Sequence, residues 1–382
     1  MNILHLFSDW KWTGAADPVL NMCQQLQLRG HQVIFACQRQ AWQKTRSIAT
    51  FAKERGVNAI DQFELNHHSP VTTIPGDLRR LTRFLREHQI EILNTHLSHD
   101  HLLGGLAARM VSQRVLVIRT DHYKDSFASG FLNRMLLSRL TDGVMTFSEK
   151  ARTRLCENFG LAPERVARIN PALSATASAP VTGEILLRKE LGFGESDVVL
   201  GVVARFQKYR KMDMFFKALA KAVKVAPQLK AMLVGRSSQF QETILDPIRE
   251  LGLEQHAKPT GYLSDRYREG LASMDAFVFM IAGSDGTGRA MLEAMAMGKP
   301  VIANNIGMLP ELNEAGKTGL IFNDNADDLA DCMVRLARDE TLRRTLGEGA
   351  AQKAREQFSL EKQAAAIEFF YQEQLRAKQS KI

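Results

Sequence analysis

Residues 276–303 read Ala-Phe-Val-Phe-Met-Ile-Ala-Gly-Ser-Asp-Gly-Thr-Gly-Arg-Ala-Met-Leu-Glu-Ala-Met-Ala-Met-Gly-Lys-Pro-Val-Ile-Ala, and they decide the fold. The apolar run Ala276–Met280 predicts a buried strand. The glycines after it predict a turn, and the next residues predict a helix that ends before the strand Pro300–Ala303. Strand, turn, helix and strand in this order form the repeating unit of a parallel α/β sheet. Ligands of such sheets bind at the carboxyl ends of the strands, where helix N-termini offer unpaired N–H groups and a partial positive charge.

The turn and the first residues of the helix are suited to bind a phosphorylated ligand. Four of them offer backbone N–H groups or a cation to a diphosphate: Gly286, Thr287, Gly288 and Arg289. Glycine matters at such a turn because it lets phosphate oxygens approach the backbone. Asp285 and Glu293 are eight residues apart, a little over two helical turns, so that both border one ligand. Since a carboxylate accepts hydrogen bonds from paired sugar hydroxyls, the pattern favours a sugar-bearing ligand.

The same alternation of strands and helices runs along the whole chain. Up to residue 173 the predicted strands are Ile3–Phe7, Gln32–Ala36, Glu91–Asn94, Arg114–Ile118 and Gly143–Phe147, with a first helix at Pro18–Arg29. A second series adds the strands Val198–Ala204, Ala231–Val234 and Gly319–Phe322, the helix Lys211–Lys224 and a last helix at Ser359–Lys378. Between the two series, Ser174–Gly183 is rich in Ala, Ser, Pro and Thr and has no period, which predicts a linker.

With 382 residues the chain exceeds what one hydrophobic core usually organises. We therefore predict two α/β domains, residues 1–178 and 184–358, followed by a C-terminal segment at 359–382. Four cysteines are scattered without metal-ligand spacing, which indicates a reducing compartment. No basic leader precedes the first strand, and no apolar run approaches the roughly 20 residues that span a bilayer. These features predict a cytoplasmic protein, soluble or peripheral on the inner face of the cytoplasmic membrane.

The formal charge of +8 is concentrated in the first half of the chain. Residues 1–180 hold 22 Lys and Arg against 15 Asp and Glu, a net of +7, whereas the other residues hold 28 against 27, a net of +1. Two interpretations stay open: solvated basic faces, or contact with an anionic partner such as a phosphorylated acceptor or an acidic membrane. Nucleic acid is disfavoured, because the arginines are not interleaved with aromatic residues and no nucleic-acid-binding motif occurs.

Two predicted helices of this half combine leucines with arginines. The first contains Leu78, Leu81 and Leu85 with Arg79, Arg80, Arg83 and Arg86. The second contains Phe131, Leu132, Leu136 and Leu137 with Arg134 and Arg139. Each pattern fits docking on an anionic membrane face, and each also fits an ordinary amphipathic helix that packs on its own sheet.

The pattern acid-x7-acid, followed by Ala-Met-Ala-x-Gly-x-Pro-Val-Ile-Ala, resembles the retaining glycosyltransferases of family 4, whose fold is called GT-B. The resemblance is dense from Val198 to Phe322 and looser before it. It implies two Rossmann-like, doubly wound parallel-sheet domains with the nucleotide-sugar site in the cleft between them, and a last helix that crosses back onto the first domain. The family's first acid, here Asp285, meets the donor sugar, and its second, here Glu293, holds the ribose hydroxyls. The family usually has Glu where Asp285 stands, so this side chain is one methylene shorter.

Further stretches fit the same family. Arg205 at a strand end and Lys211 six residues later resemble its diphosphate clamp, in which two cations neutralise the leaving pyrophosphate without a metal ion or other cofactor. Met212 stands where the family commonly has glycine, and Lys208 and Arg210 are rival cations.

The parts of the family site that contact the nucleobase and the phosphates also have counterparts. Pro259–Leu263 corresponds to the segment that lines the base, with Gly261 and Tyr262 as its neighbours. The loop Trp12-Thr-Gly-Ala-Ala16 resembles the one that reaches towards the donor phosphates. Gly14 matches that loop, whereas Ala15 replaces its second glycine.

Two histidines follow predicted strands in the first half. His122 corresponds to the family histidine beside the donor sugar and the acceptor, and is the main catalytic candidate; His96 is a candidate on the acceptor side. Either is otherwise an ordinary loop histidine. A metal site that joins His96 with His99 and His101 lacks a carboxylate or cysteine set at matching spacing. No Asp-x-Asp sequence occurs, so we predict no metal ligand.

The resemblance implies a retaining, metal-independent glycosyltransferase. It moves a sugar from a UDP-, GDP- or ADP-sugar to a hydroxyl of a cell-envelope glycan or lipid-linked acceptor, as in lipopolysaccharide core or polysaccharide biosynthesis. The leaving phosphate helps to deprotonate the attacking hydroxyl, so no protein nucleophile is needed. Two other functions fit the same architecture: a nucleotide-sugar epimerase and a non-catalytic sugar-nucleotide-binding subunit. A nicotinamide dehydrogenase is disfavoured, because the first β–α turn, residues 8–14, reads Ser-Asp-Trp-Lys-Trp-Thr-Gly instead of Gly-x-Gly-x-x-Gly.

Overall fold

The computed structural model describes residues 1–66, 70–111, 115–122, 127–128, 130–173, 181, 186–281 and 288–380. These residues form two compact units. The N-terminal unit comprises the described residues of 1–172 and of 360–380, and the C-terminal unit comprises those of 173–281 and 288–359. The predicted linker falls almost entirely outside the described residues, so the predicted domain limits stay a prediction.

The N-terminal unit is built on a seven-stranded parallel sheet. Its strands are β1 (Asn2–Phe7), β2 (Gln32–Cys37), β3 (Ala59–Ile60), β4 (Ile92–Thr95), β5 (Leu116–Thr120), β6 (Gly143–Thr146) and β7 (Val166–Arg168). Its helices are α1 (Ala16–Leu28), α2 (Ile48–Glu54), α3 (Pro70–Glu87), α4 (Ser98–Arg109), α5 (Phe131–Met135) and α6 (Glu149–Phe159). The strand order is β3-β2-β1-β4-β5-β6-β7.

The C-terminal unit repeats the plan with six parallel strands. They are β8 (Val198–Arg205), β9 (Leu229–Arg236), β10 (Ala257–Gly261), β11 (Ala276–Phe279), β12 (Val301–Asn304) and β13 (Gly319–Phe322). The helices are α7 (Leu187–Glu190), α8 (Met212–Val225), α9 (Asp246–Glu250), α10 (Tyr267–Ala272), α11 (Arg289–Ala296), α12 (Leu309–Leu312), α13 (Ala326–Arg338) and α14 (Glu340–Gln357). The strand order is β10-β9-β8-β11-β12-β13.

Both sheets change direction at their centre. From β1 or from β8 the chain first adds strands on one side, then returns and adds the rest on the other side. This is the 3-2-1-4-5-6 order of doubly wound folds, in which ligands bind beside the switch point at the carboxyl ends of the strands. The predicted fold class is therefore confirmed. It brings the ends of β1 and β4 together in one unit and those of β8 and β11 in the other.

Burial on both faces explains the long apolar runs of the strands. In the C-terminal unit, α8 and α13 cover the sheet with apolar residues that recur every three or four positions. In α13 these are Leu329, Met333 and Leu336, all completely buried. Burying one such side chain contributes about 1.5–3 kcal/mol, so a few helices of this kind hold the sheet layer in place.

The last helix, α15 (Leu360–Gln379), belongs to the N-terminal unit. Tyr371 is fully buried there, and its hydroxyl accepts a hydrogen bond of 2.7 Å from the amide of Asn94. Near the end of the helix, the Lys378 ammonium donates to the Asp142 carboxylate at 2.7 Å. A buried hydrogen bond and an ion pair thus fix α15 at two levels of the first sheet.

Most predicted strands lie within two residues of the observed ones. The strand predicted at Arg114–Ile118 is observed at Leu116–Thr120, because the polar Arg119 and Thr120 continue the strand and are buried in it. The strands β3, β7 and β10 were not predicted. All three lie at sheet edges, where the chain needs no long apolar run.

Candidate active site

Three histidines line up at the carboxyl edge of the first sheet. His5 lies in β1, His96 directly follows β4, and His122 follows β5 by two residues. His5 Nδ1 is 3.0 Å from His96 Nε2, and His96 Nδ1 is 3.0 Å from His122 Nε2, so that each neighbouring pair shares a hydrogen bond. None of the three is more than 1% exposed. This histidine row joins both predicted histidines and adds His5, which the sequence interpretation missed.

A buried carboxylate ties together the backbone around the row. Asp100 in α4 accepts hydrogen bonds from the N–H groups of Ser8 at 2.9 Å, His96 at 3.2 Å and Leu97 at 2.8 Å. Burial raises the pKa of Asp100 to about 7, although Arg119 and these N–H groups act to lower it. One side chain therefore fixes the ends of β1 and β4 relative to each other.

The histidine row is uncharged near neutral pH. Burial lowers the pKa of His5 and of His122 to about 3, with Arg119 adding to the effect on His122. Burial, followed by the neighbouring His122, His5 and Arg119, holds the pKa of His96 well below its usual value. A neutral imidazole has one N–H and one bare nitrogen, so the row donates and accepts hydrogen bonds without adding charge.

The loop before α1 carries Gly14 and is held by aromatic packing. The rings of Trp12 and Phe51 have centroids 4.1 Å apart. Gly14 is exposed in a turn closed by a hydrogen bond of 3.0 Å from the Ala16 N–H to the Thr13 carbonyl oxygen. No described side chain caps the first turn of α1.

The two predicted clamp residues lie at the edge of the second sheet. Arg205 ends β8, is exposed, and has no ion pair or side-chain hydrogen bond among the described residues. Lys211 precedes α8 in the left-handed region, with φ of 55°, and its ammonium pairs with the Asp324 carboxylate. Asn304 also donates to Asp324, at 2.6 Å. Partial burial alone would raise the pKa of Asp324, but the hydrogen bonds from Lys211 and Asn304 outweigh it and lower that pKa.

The rival cations are engaged elsewhere. The Lys208 ammonium lies 2.8 Å from the Glu242 carboxylate, and Arg210 donates to the Ile281 carbonyl oxygen at 2.7 Å. Met212 starts α8 as a buried residue, so the left-handed turn falls on the preceding lysine instead of on a glycine. Methionine in place of the family's glycine is therefore compatible with this turn, because Lys211 and not Met212 adopts the left-handed conformation.

Glu293 is held by two hydrogen bonds in the middle of α11. Its Oε1 accepts from Arg289 Nε at 2.8 Å, and its Oε2 accepts from the Tyr267 hydroxyl at 2.6 Å, with Glu293 only 6% exposed. Burial raises the pKa of Tyr267 well above its usual value, and the Glu293 charge raises it further, so the hydroxyl stays a donor. A carboxylate has about four lone-pair sites, which leaves two for the paired hydroxyls of a ribose.

Gly288 directly precedes α11 with φ of 62°. A side chain at this position is disfavoured for two reasons. L residues avoid this backbone region, and a Cβ would lie 3.1 Å from Leu312 Cδ1. The other predicted residues of this turn, Asp285, Gly286 and Thr287, lie outside the described residues. Their roles therefore stay predictions.

Gly261 is the last residue of the edge strand β10, and Tyr262 follows it. Gly261 has φ of 73°, and the Tyr262 ring behind it is 70% exposed. The Arg236 guanidinium lies 5.4 Å from the centroid of this ring, a cation–π distance. Arg236 also pairs in register with Arg205 across β8 and β9. An exposed aromatic face thus lies near two arginines at one sheet edge.

The sequence interpretation missed several residues of these sites, among them His5, Asp100, Arg236, Tyr267 and Asp324. Two of them had a usable signal. His5 is a polar residue inside an apolar strand, and Asp324 follows β13 at the edge where parallel strands end. For Tyr267 no local pattern indicates its partner, which is 26 residues away in the chain.

The described ranges contain neither a metal-ligand cluster nor a membrane-spanning helix. No group of three or more His, Cys, Asp or Glu side chains there is arranged to hold a metal ion. No helix in the same ranges combines the length and apolar character needed to cross a membrane.

Two family models match the chain and together span most of it. The model described as Glycosyltransferase Family 4 matches residues 12–175, and the model described as Glycosyl transferases group 1 matches residues 184–353. The first model falls on the unit with the histidine row. The second falls on the unit with Arg205, Lys211 and Glu293.

Individual relatives agree with these models. The chain is 26% identical to N-acetyl-alpha-D-glucosaminyl L-malate synthase of Bacillus anthracis, over 82% of this chain and 84% of that protein. It is 27% identical to the GDP-mannose-dependent alpha-(1-6)-phosphatidylinositol monomannoside mannosyltransferase of Mycobacterium tuberculosis, over 78% and 81%. The crystal structure of Alr3699/HepE from Anabaena in complex with UDP has the same fold, with a TM-score of 0.78 over 100% of both chains at 20% identity. The chain belongs to glycosyltransferase family 4, the retaining glycosyltransferases that have the GT-B fold.

Proposed function

We propose that this glycosyltransferase moves a sugar from a nucleotide diphosphate to a hydroxyl of a cell-envelope glycan or lipid-linked acceptor, in lipopolysaccharide core or polysaccharide assembly. The observation that carries the proposal is the Glu293 carboxylate, buried in the middle of α11 and fixed by Arg289 and Tyr267. Its free lone pairs suit the two hydroxyls of a ribose. Because the chain is a family 4 glycosyltransferase, this role is favoured over an epimerase or a non-catalytic subunit.

The diphosphate of the donor binds at the start of α11. Gly288 permits a close approach of the phosphate oxygens, and the N–H groups and helix dipole there favour a negative charge. Gly286 and Thr287 extend this site, and Asp285 meets the sugar. Tyr262, beside Arg236, stacks against the nucleobase.

The bond that breaks joins the anomeric carbon to the distal phosphate. Negative charge develops on the leaving diphosphate, and Arg205 and Lys211 stabilise it electrostatically. The acceptor oxygen forms its bond on the same face of the sugar, and its proton passes to a phosphate oxygen of the leaving group. Every atom and charge is thus accounted for without a protein nucleophile.

The N-terminal unit provides the acceptor side of the reaction. His122 lies beside the donor sugar and the attacking hydroxyl, His96 supports it, and Gly14 reaches the phosphates. The relatives named above use malate and phosphatidylinositol monomannoside, both of which carry negative charge at neutral pH. The net charge of +7 on residues 1–180 supports an anionic acceptor here as well.

The surface of α4 and α5 docks on an anionic membrane. It exposes six apolar side chains: Leu102, Leu106, Met110, Phe131, Leu132 and Met135. Phe131 is 80% exposed and Leu132 is 73% exposed, far more than an isolated apolar residue on a soluble surface requires. Arg109, Arg134 and Arg139 flank them, and basic residues around exposed apolar ones fit acidic lipid headgroups.

The other candidate helix, α3, takes no part in this docking surface. Leu81 and Leu85 are completely buried in the core of the N-terminal unit, and Leu78 packs against it. Its arginines therefore lie on the solvated side of an ordinary amphipathic helix.

The donor site is tested by calorimetry and thermal shift with UDP, GDP, ADP and their sugars. We expect one nucleotide diphosphate to bind and to stabilise the fold by about 2.7 kcal/mol at a hundred times its Kd. Glu293→Gln should weaken this binding, whereas Glu242→Gln, an exposed glutamate of the same unit, should leave it unchanged. Absence of binding to every nucleotide would contradict the proposal.

Metal dependence gives a second test of the chemistry. Because Arg205 and Lys211 supply the positive charge, we expect EDTA to leave donor turnover unchanged. Loss of turnover that Mn²⁺ restores would contradict the role of these cations.

The docking surface is tested by sedimentation with vesicles of phosphatidylglycerol and phosphatidylcholine. We expect binding to the anionic vesicles only, and Phe131→Ser with Leu132→Ser should reduce it about tenfold or more, given the apolar area that is lost. Phe369→Ser, which removes an exposed aromatic side chain outside the docking surface, is the matched control. Equal binding to both vesicle types, or no effect of the double variant, would contradict the proposal.

A further inference from the structure

The histidine row is a chain of hydrogen bonds whose two end nitrogens have no partner in the part of the chain that the structure describes. The ring planes of His5 and His96 are nearly parallel, 12° apart, with centroids 5.2 Å apart, and the centroids of His96 and His122 are also 5.2 Å apart. His5 Nε2 and His122 Nδ1 are both buried and have no hydrogen-bond partner among the described residues. Within the described ranges, the row therefore begins and ends on a nitrogen that makes no hydrogen bond.

Two shared hydrogen bonds leave the row only two arrangements of its protons. In a neutral imidazole one nitrogen carries the proton and the other is bare. If His5 donates from Nδ1, His96 must accept at Nε2 and donate from Nδ1, and His122 must accept at Nε2. The proton of His122 then lies on Nδ1. In the opposite arrangement every proton lies on Nε2, and His122 presents a bare Nδ1.

The two arrangements differ in what they leave at the His5 end. The arrangement with every proton on Nε2 would leave the His5 Nε2–H buried without a partner. Buried N–H groups without a partner are rarer than unpaired acceptors. A bare nitrogen at His5 is therefore the less costly end. At the other end, any sugar hydroxyl or phosphate oxygen of a ligand can accept from an N–H.

We propose that His5 and His96 are positioning residues that fix the tautomer of His122, so that its Nδ1–H is a hydrogen-bond donor to an oxygen of the bound donor sugar. The ligand part of this inference rests on the proposed function, which has His122 beside the sugar. The tautomer part rests only on the geometry of the row. Burial keeps all three rings neutral by lowering their pKa values, so the arrangement persists across the physiological pH range.

The tautomers are measured directly by ¹⁵N NMR of the protein labelled at histidine, since ring nitrogens with and without a proton differ strongly in chemical shift. We expect a protonated Nδ1 and a bare Nε2 in His5, His96 and His122 alike. A protonated Nε2 in His122, or averaged shifts for its two nitrogens, would overturn the proposal whether or not the protein has been assayed for activity.

Variants of His5 test the consequence for turnover. His5→Leu removes the donor at the start of the row, and we expect averaged shifts in His122 and about a tenfold loss of kcat, the factor of one lost hydrogen bond. His5→Asn places an amide near the position of Nδ1 and should recover most of the loss. His101→Gln is the matched control, because His101 is a buried histidine of the same unit that bonds to Thr141 outside the row.

The readouts separate this inference from the proposed function. UDP-glucose and GDP-mannose serve as probes, with kcat taken from donor hydrolysis and Kd from calorimetry. We expect His5→Leu to lower kcat about tenfold and to raise Kd by a smaller factor. Unchanged kcat and unchanged His122 shifts in His5→Leu would overturn the inference with the proposed function intact. If no UDP-, GDP- or ADP-sugar bound, the proposed function would fail, and the NMR spectra would still decide the tautomer.

Discussion

The two sheets of this enzyme share one strand order, but the predicted site residues at the carboxyl edge are uncharged in the first sheet and charged in the second. In the N-terminal unit the edge carries the histidine row, completely buried and uncharged. In the C-terminal unit it carries Arg205, exposed, and Lys211, which is paired with Asp324. One edge is arranged by burial and shared hydrogen bonds, the other by charges that stay in contact with solvent.

The contrast teaches that a doubly wound sheet fixes where a site lies, but not its chemistry. Burial keeps imidazoles neutral and orders them through directional hydrogen bonds, whereas exposure keeps arginine and lysine charged at little cost. The neutral edge suits contacts with sugar hydroxyls, and the charged edge suits a diphosphate. Each of the following changes tests one side of this contrast.

Acid should separate the two units most strongly. Below pH 6.5 the unfolded chain takes up protons on His5, His96, His101 and His122, while the folded N-terminal unit does not, because burial lowers their pKa values. Asp100 has the opposite effect on stability. Between its unfolded pKa of 3.8 and its folded pKa of about 7, only the folded state holds its proton, so this group stabilises the folded state as the pH falls. Since four imidazoles outnumber one carboxyl group, the N-terminal unit should lose on the order of 4 kcal/mol of stability between pH 6.5 and pH 5.

The chain offers a selective probe for this loss. All three tryptophans, Trp10, Trp12 and Trp42, lie in the N-terminal unit, whereas far-UV circular dichroism reports on both units. The C-terminal unit contains one histidine, His256, so its stability should change less. Urea unfolding followed by tryptophan fluorescence should therefore shift to lower urea at pH 5 than at pH 7. A fluorescence transition that does not move with pH would contradict the neutrality of the row.

Removal of the Glu293 carboxylate should have the next largest effect. Glu293→Ala abolishes the acceptor of Arg289 and Tyr267 together with the proposed ribose contacts. Hydrogen bonds to a charged group contribute about 1.5–3 kcal/mol each, so donor affinity should fall by roughly 3 kcal/mol or more. Calorimetry with the nucleotide diphosphate measures it, and thermal unfolding checks that the variant is folded. A folded variant with unchanged affinity would remove Glu293 from the site.

Lys211 tests whether the charged edge acts in the transition state. Lys211→Ala should lower kcat/KM by about 1.5–3 kcal/mol of transition-state stabilisation. Lys208→Ala, which breaks an exposed ion pair with Glu242, should have little effect. Asp324→Asn should preserve or raise activity, because it releases Lys211 to the phosphates. A loss of kcat/KM in Asp324→Asn that matches the loss in Lys211→Ala would mean that the pair acts only structurally.

Substitution of Gly288 should give the smallest loss of nucleotide affinity. A control glycine with similar backbone strain separates this loss from a general loss of stability. Gly288→Ala forces a left-handed alanine, which costs about 1–2 kcal/mol, and places its Cβ against Leu312. Gly160→Ala, after α6, has a similar φ of 66° and open space around the new Cβ. Both should lower the thermal stability, but only Gly288→Ala should weaken nucleotide binding. Equal nucleotide affinity in the two variants would remove Gly288 from the donor site.

The sequence indicated which residues lie at both sheet edges better than it indicated which of them form hydrogen bonds or ion pairs with one another. His96, His122, Arg205 and Lys211 were each found because they follow an apolar run, and parallel strands end at one edge. The hydrogen bonds of the histidine row depend on the lateral order of β1, β4 and β5, which strand patterns do not encode. The pairing of Lys211 with Asp324 joins residues 113 positions apart for the same reason.

The sequence by itself determined the fold class, the family and the residue types at the strand ends, because apolar periodicity and short motifs are local properties of the chain. Only the tertiary structure decided which of these residues touch. In the structure, His96 and His122 form a buried row with His5, and Lys208 and Arg210 bind other partners. The apolar residues at the start of α5 are exposed, whereas Leu81 and Leu85 of α3 are buried. Burial and hydrogen bonding depend on packing between distant segments, so a linear pattern does not specify them.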